Sequence, residues 1–164
     1  MKILSWNVNG IRAVQKSGFL EWLDSEAPDI LCLNETKAEP GQLSPELVNP
    51  RAKGKPYHTY WASAKKKGYS GVAIYTRIEP QEVRFFGKPE FDDEGRVLIA
   101  EFDRFTLIAA YFPNSQDGGK RLDYKLAFCA ARMPLTFQDM IFMYLPEPCT
   151  SNPIIFPKLF PSSS

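Results

Sequence analysis

An α/β fold is what this sequence predicts, and three stretches carry that prediction. Residues 2–8 alternate loosely, are rich in apolar and aromatic side chains, and read as a strand. Residues 17–27 read as an amphipathic helix whose buried face is Phe19, Leu20, Trp22 and Leu23. Residues 30–33 are an apolar run bounded by Pro28-Asp29, the pattern of a short strand buried on both faces. Strand, helix and strand in this order are the signature of a parallel α/β unit.

Each of these elements has a readable end. The first strand runs into Asn7-Val8-Asn9-Gly10, a polar turn in which Gly10 is free to take positive φ. Ser17 is placed to cap the helix, and Pro28 stops it. The second strand delivers Asn34, Glu35, Thr36 and Lys37 at its carboxyl end. In open α/β sheets the crevice beyond the carboxyl ends of strands is where ligands sit. A lone loop carboxylate is ordinarily just solvated, so Glu35 gains meaning only through what stands beside it.

The rest of the chain alternates strands with turns. Residues 38–56 hold four prolines and two glycines and form a surface excursion. Within it Ser44-Pro45-Glu46-Leu47 can start a short helix. Residues 57–62 and 72–77 are strand-like, joined by the basic turn Lys65-Lys66-Lys67-Gly68-Tyr69-Ser70-Gly71. Residues 81–86 read as an edge strand, and Phe91-Asp92-Asp93-Glu94-Gly95-Arg96 as a turn. Residues 97–102 and 105–112 form a hairpin bending at Asp103-Arg104. A helix over residues 121–131 follows. Residues 132–164 then carry six of the fourteen prolines, only four charged residues and a serine-rich end. Prolines this dense interrupt helices and central strands.

Composition excludes several classes. The 164 residues fit one domain; 44% are hydrophobic and 24% charged, a globular mix. A net charge of +1 gives no global signal for nucleic acid, so any polyanion site must be local. No apolar run reaches the length of a membrane span. Three widely spaced cysteines, Cys32, Cys129 and Cys149, fit a reducing cytoplasm better than a disulfide frame or a zinc site.

Three strand ends carry polar side chains: Asn7 with Asn9, Glu35 with Lys37, and Tyr111 with Asn114. If the strands are neighbours, these groups converge. All bring oxygen donors, which suit a hard cation such as Mg²⁺, completed by waters and phosphate oxygens. Arg12, Lys37, Arg121 and the lysine run can bind phosphates. By itself the run 65–67 reads as a solvated turn, but Tyr69 beside it can lie along a sugar–phosphate backbone.

Five motifs, in this order and spacing, resemble the exodeoxyribonuclease III family of AP endonucleases, a branch of the endonuclease/exonuclease/phosphatase superfamily. They are Ser5-Trp6-Asn7-Val8-Asn9-Gly10-Ile11-Arg12-Ala13, Pro28-Asp29-Ile30-Leu31-Cys32-Leu33-Asn34-Glu35-Thr36-Lys37, Lys66-Lys67-Gly68-Tyr69-Ser70-Gly71-Val72-Ala73, Tyr111-Phe112-Pro113-Asn114-Ser115 and Arg121-Leu122-Asp123-Tyr124-Lys125. The resemblance covers about residues 1–130. It implies the first half of a four-layer α/β sandwich, two packed β-sheets with outer helices, truncated near residue 131. Residues 132–164 then form a divergent tail that is not family-like.

The resemblance also implies a Mg²⁺-dependent nuclease of base excision repair, with Mn²⁺ as the alternative ion. Its substrate is double-stranded DNA with abasic sites or 3′ ends, with no membrane and no obligate protein partner. Carried over by position, Asn7 lies in the active site close to the metal, and Glu35 is the main metal ligand of this half. Tyr111 contacts the scissile phosphate, Asn114 and Arg121 help hold the site and the DNA, and Arg12, Gly68 and Tyr69 touch the DNA backbone.

Asn34 stands where the family usually has glutamine, an amide for an amide. More is missing: the family's Gly-Asp-x-Asn and Ser-Asp-His motifs have no counterpart, and the single histidine is His58. A positioned acid or base contributes roughly 10²–10⁴-fold to a rate. The sequence therefore supports two readings, an exodeoxyribonuclease III-type hydrolase or an inactive truncated remnant with at most weak DNA or Mg²⁺ binding. A superfamily phosphatase acting on lipids or inositol phosphates is a third, disfavoured by the segments 66–71 and 121–125.

Overall fold

The computed structural model describes residues 1–131 and, as backbone only, two strands further on. In chain order the elements are β1 (Ile3–Asn7), α1 (Ile11–Lys16), α2 (Phe19–Glu26), β2 (Ile30–Asn34), α3 (Pro45–Val48), β3 (Arg51–Ala52), β4 (Lys55–Pro56), β5 (His58–Ala62), β6 (Val72–Thr76), β7 (Glu82–Arg84), α4 (Pro89–Asp92), β8 (Val97–Phe102), β9 (Phe105–Ala110), α5 (Leu122–Ala130), β10 (Met140–Tyr144) and β11 (Ile154–Phe156).

Two sheets form the centre. The first has the order β11-β1-β2-β6-β5, the second β10-β9-β8-β7, and β3 with β4 makes a small separate hairpin. β1 and β2 are parallel and in register from Ile3↔Ile30 to Asn7↔Asn34. β2 then pairs antiparallel with β6. β7 is the edge strand expected from residues 81–86.

Alternation along the strands builds four layers. Ile30 and Cys32 face the second sheet, sharing a core with Leu98, Ala100, Leu107 and Ala109. Leu31 and Leu33 face the other way, onto Ile11, Phe19, Leu23 and Leu47 of α1, α2 and α3. The outer face of the second sheet, Val97, Ile99, Ile108 and Ala110, packs on Phe91 of α4 and Phe128 of α5. All five residues of β2 are buried, as its apolar run predicted. The architecture is the expected sandwich of two packed sheets with outer helices.

The differences from the sequence reading are local. The helix expected over 17–27 is α2, starting at Phe19, and an unexpected helix, α1, precedes it. Ser17 closes α1, and Gly18, at φ 90°, opens α2. α1 has only six residues and buries only Ile11, too short for a periodic signal. α2 ends on Ala27 in the left-handed region, one residue before Pro28. Part of the expected 91–96 turn is helical, because Pro89 opens α4. The segment read as tail contributes β10, parallel to β9, and β11, antiparallel to β1. Its remaining residues lie outside those described. Cys32 is buried and Cys129 exposed, both as free thiols. Burial pushes the Cys32 thiol up to about 12, so it stays protonated and inert.

Candidate active site

The site forms where the ends of β1 and β2 meet the start of β6. Backbone hydrogen bonds stitch these segments together: Val8 N to Asn34 O (3.0 Å), Gly10 N to Glu35 O (2.8 Å), Thr36 N to Gly71 O (3.1 Å) and Lys37 N to Ser70 O (2.8 Å). Four non-glycine residues here take positive φ: Asn9, Glu35, Lys37 and Ser70. Such backbone costs about 1–3 kcal/mol per residue and persists where the surroundings over-determine it, commonly at functional sites. Gly71 shows the tightness, since a Cβ there would lie 2.4 Å from Thr36 Oγ1.

Glu35 is set at the end of a fully buried strand with its side chain 16% exposed. Its Oε1 lies 2.9 Å from Lys37 Nζ, which also donates to Asn9 Oδ1. Asn7 Oδ1 accepts from Asn9 N at 3.0 Å. Asn7 and Asn34 occupy the register positions that continue the row Ile3, Ile30 and Cys32 toward the second sheet. Asn7 Nδ2, both polar atoms of Asn34, Thr36 Oγ1 and Ser70 Oγ are buried without a hydrogen-bond partner among the described residues.

Tyr111 enters from the second sheet, just beyond β9, and packs on the edge of the inter-sheet core. Burial pushes its phenol up, and the charge and hydrogen bond of Glu35 push it further, against the opposing pull of Arg96. Tyr111 is therefore a neutral hydrogen-bond donor at ordinary pH.

Behind Tyr111 lies a network the sequence reading missed. Arg96 is 2% exposed. Its Nε meets Glu94 Oε2 at 2.6 Å, its Nη1 donates to Tyr111 O at 3.0 Å and its Nη2 to Tyr69 Oη at 3.0 Å. Arg121 donates to the same Tyr69 oxygen and, at 2.7 Å, to Glu94 Oε1. Burial raises the Glu94 carboxyl, but hydrogen bonds and charge from Arg96 and Arg121 outweigh it and hold the group below its usual range. The sequence places Glu94 and Arg96 in a turn and gives them no role. Their only local signal was opposite charge two positions apart, which surface turns share.

Of the residues singled out by sequence, Asn7, Glu35, Lys37 and Tyr111 gather at one rim, and Arg121 and Tyr69 join them through Arg96. Arg12 is exposed on α1, Gly68 in the basic turn and Asn114 on the loop after β9. Asn114 lines a shallow cleft with Gln116, Asp117 and Lys120. Lys65 pairs with Asp93, and Lys66 sits 5.2 Å from the Tyr69 ring centre. His58 is exposed and starts β5, whose other end, Ala62, pairs with Val72 near the site.

The donor set fits a hard divalent cation: one carboxylate, the Glu35 group, beside a buried amide oxygen of Asn34 that has no other partner. Among the described residues no group of three or more His, Cys, Asp and Glu side chains gathers. Waters and phosphate oxygens would have to complete the shell.

The Endonuclease/Exonuclease/phosphatase family matches the chain over residues 4–151. An exodeoxyribonuclease of Bacillus subtilis (strain 168) is 40% identical over 159 residues, 94% of this chain and 56% of that protein. DNA repair nuclease APEX1 of Danio rerio is 48% identical over 129 residues, 76% of this chain and 40% of that protein. The chain thus spans roughly half the length of these relatives. Among solved structures, an AP endonuclease from Archaeoglobus fulgidus aligns with TM-score 0.60 and 32% identity over 78% of this chain and 48% of its own. The 3′ phosphatase NExo from Neisseria, bound to product DNA hairpin, aligns with TM-score 0.61 and 30% identity over 80% of this chain and 49% of its own. The layered fold is shared with these solved structures, and the chain belongs to the endonuclease/exonuclease/phosphatase family.

Proposed function

We propose that this chain serves Mg²⁺-dependent hydrolysis of phosphodiester bonds in double-stranded DNA, at abasic sites and 3′ ends, as a nuclease of base excision repair. The observation that carries the reading is the meeting of Glu35, Asn7 and Tyr111 at one rim, reached from two different sheets. The names of the relatives support it. Residues 1–131 carry the site in this reading, and of residues 132–164 the strands β10 and β11 extend the two sheets. The free thiols fit a cytoplasmic setting, and no obligate protein partner is inferred.

In this reading Glu35, with Asn7 and Asn34 beside it, would hold Mg²⁺ (or Mn²⁺), which when bound neutralises charge developing on a phosphoryl oxygen. Tyr111, kept neutral by burial and by Glu35, donates to a non-bridging oxygen of the scissile phosphate. Asn7 Nδ2 is a buried donor free to orient a group in the cleft. Lys37 sets the Glu35 carboxylate and adds positive charge toward DNA. Tyr69, Gly68, Arg12, Asn114 and Arg121 lie along the DNA path. No described helix is long and apolar enough to cross a membrane.

A second reading is binding of DNA or Mg²⁺ without turnover. It is favoured by the position of His58, at the far end of β5 from Glu35. Incision of an abasic-site duplex by purified chain with Mg²⁺, beside Glu35→Ala, separates the two. Wild-type cutting well above the variant supports the nuclease. Equal, background cutting with retained duplex binding supports the second reading.

A further inference from the structure

We propose that Arg96 is a positioning residue of this site: it locks the main chain of Tyr111 and, with Arg121, leaves the Tyr69 hydroxyl able only to donate, toward a DNA phosphate. The proposal rests on the reading above, in which both tyrosines face DNA.

Arg96 is the buried charge at the junction of the two sheets. Gly95 brings it there. At φ +59°, a Cβ on Gly95 would lie 2.5 Å from Ala62 O and 2.6 Å from Ser63 C. The turn before β8 thus touches the end of β5 with no room to spare. A buried guanidinium is tolerated when it is paired, and here each of its three nitrogens has a partner. Glu94 takes Nε, and the two Nη groups go to Tyr111 O and Tyr69 Oη. The main chain closes the clamp on Tyr111 a second time, with Tyr111 N donating to Arg96 O at 2.8 Å. The guanidinium carbon also lies 5.0 Å from the Tyr111 ring centre and 5.7 Å from that of Tyr69. One planar, rigid fork therefore sets two tyrosines in a single frame.

The consequence for Tyr69 follows from counting lone pairs. Its oxygen accepts from Arg96 and from Arg121. With its acceptor capacity taken up, the hydroxyl proton must point elsewhere. Two cations polarise it, and Lys66 stands over its ring. A donor of this kind fits an anionic oxygen and rejects a second donor. Glu94 cancels only one of the two guanidinium charges, so the assembly keeps positive charge beside the DNA path. Lysine at position 96 keeps the charge but cannot bridge three acceptors in one plane.

The test uses the full chain with ¹³Cζ-tyrosine labels, the seven tyrosine signals being assigned with Tyr69→Phe and Tyr111→Phe. Inorganic phosphate is titrated into wild type and into folded Arg96→Lys, and incision of an abasic-site duplex is followed in parallel. In wild type, phosphate shifts the Tyr69 signal; in Arg96→Lys the response weakens about tenfold, the worth of a hydrogen bond to a charged group. On incision, Arg96→Lys lowers kcat about 10- to 100-fold with little change in KM, the cost of misplacing a reacting frame. In a Tyr111→Phe background the same change costs much less, because the two residues act as one unit. Independent, multiplicative losses would show a merely structural role and overturn the proposal. So would a wild-type Tyr69 signal that ignores phosphate. If wild type does not cut, the nuclease reading fails, and the phosphate titration alone decides on Arg96. Should Arg96→Lys fail to fold, Arg121→Gln, which removes the other donor to Tyr69, must weaken the phosphate response instead.

Discussion

Asn7 and Asn34 stand side by side on parallel strands, and Asn7 Nδ2 and both polar atoms of Asn34 are buried without a partner among the described residues, at the rim where Glu35 emerges. Unmet buried polar groups cost about 1–3 kcal/mol each, so they are retained where something else requires them. In the reading above, that requirement is a cation and a phosphate.

Mg²⁺ is accordingly expected to stabilise the chain through Glu35. At a concentration about 100-fold above its dissociation constant, a ligand of the folded state adds about 2.7 kcal/mol. Thermal unfolding with and without Mg²⁺ should show a rise of about 5–10 °C for wild type. Glu35→Ala should show none, and an equal rise in both would place the ion elsewhere.

Gly95 and Gly68 both take positive φ, at 59° and 71°, yet their surroundings differ. A Cβ on Gly95 meets backbone of residues 62 and 63, whereas Gly68 has open space. Gly95→Ala should cost about 2–5 kcal/mol, strain plus overpacking. Gly68→Ala should cost about 1–2 kcal/mol, strain alone. Chemical denaturation of both variants checks the order.

Phe128 is the anchor of α5, with ring centres of Phe112 and Phe91 at 5.0 and 5.1 Å. Phe128→Ala should destabilise the chain by about 3–5 kcal/mol. Because α5 begins beside Arg121, the loosened helix should also weaken the hold on Tyr69. The Tyr69 ¹³Cζ signal reports that second effect, and a signal unchanged in the variant would mean Arg121 is fixed without α5.

Glu94 predicts an acid limb. Its folded pKa lies below the ordinary glutamate value because Arg96 and Arg121 outweigh the effect of burial. A depressed carboxyl contributes stability that is present above its unfolded pKa and lost as pH falls through the folded one. Stability should therefore drop below about pH 4.5, and Glu94→Gln should flatten that part of the curve. Unfolding free energy measured between neutral and acid pH checks the slope, and an unchanged slope would remove Glu94 as its source.

Much of the fold was legible. The hairpin of β8 and β9 bends at Asp103 and Arg104, where the alternation broke, and β2 is buried throughout, as its apolar run implied. The Ser17 boundary was not legible, because Ser17 and Gly18 both suit a helix start and only the φ of Gly18 chose between them. At the site, Glu35 and Asn7 could be read from strand ends. Arg96 could not, since its place depends on Tyr69 and Tyr111, far from it in the chain, meeting its guanidinium.

The sequence by itself determined most of the longer strands and helices and the polar residues that end them, because the periods of 2 and 3.6 and the turn residues are properties of neighbouring side chains. Tertiary structure decided that β6 runs antiparallel beside β2, that the end of β9 faces the end of β2, and that a turn arginine becomes the buried link between Tyr69 and Tyr111. Those outcomes depend on which faces lose water against each other across tens of residues of chain, and no local pattern records them.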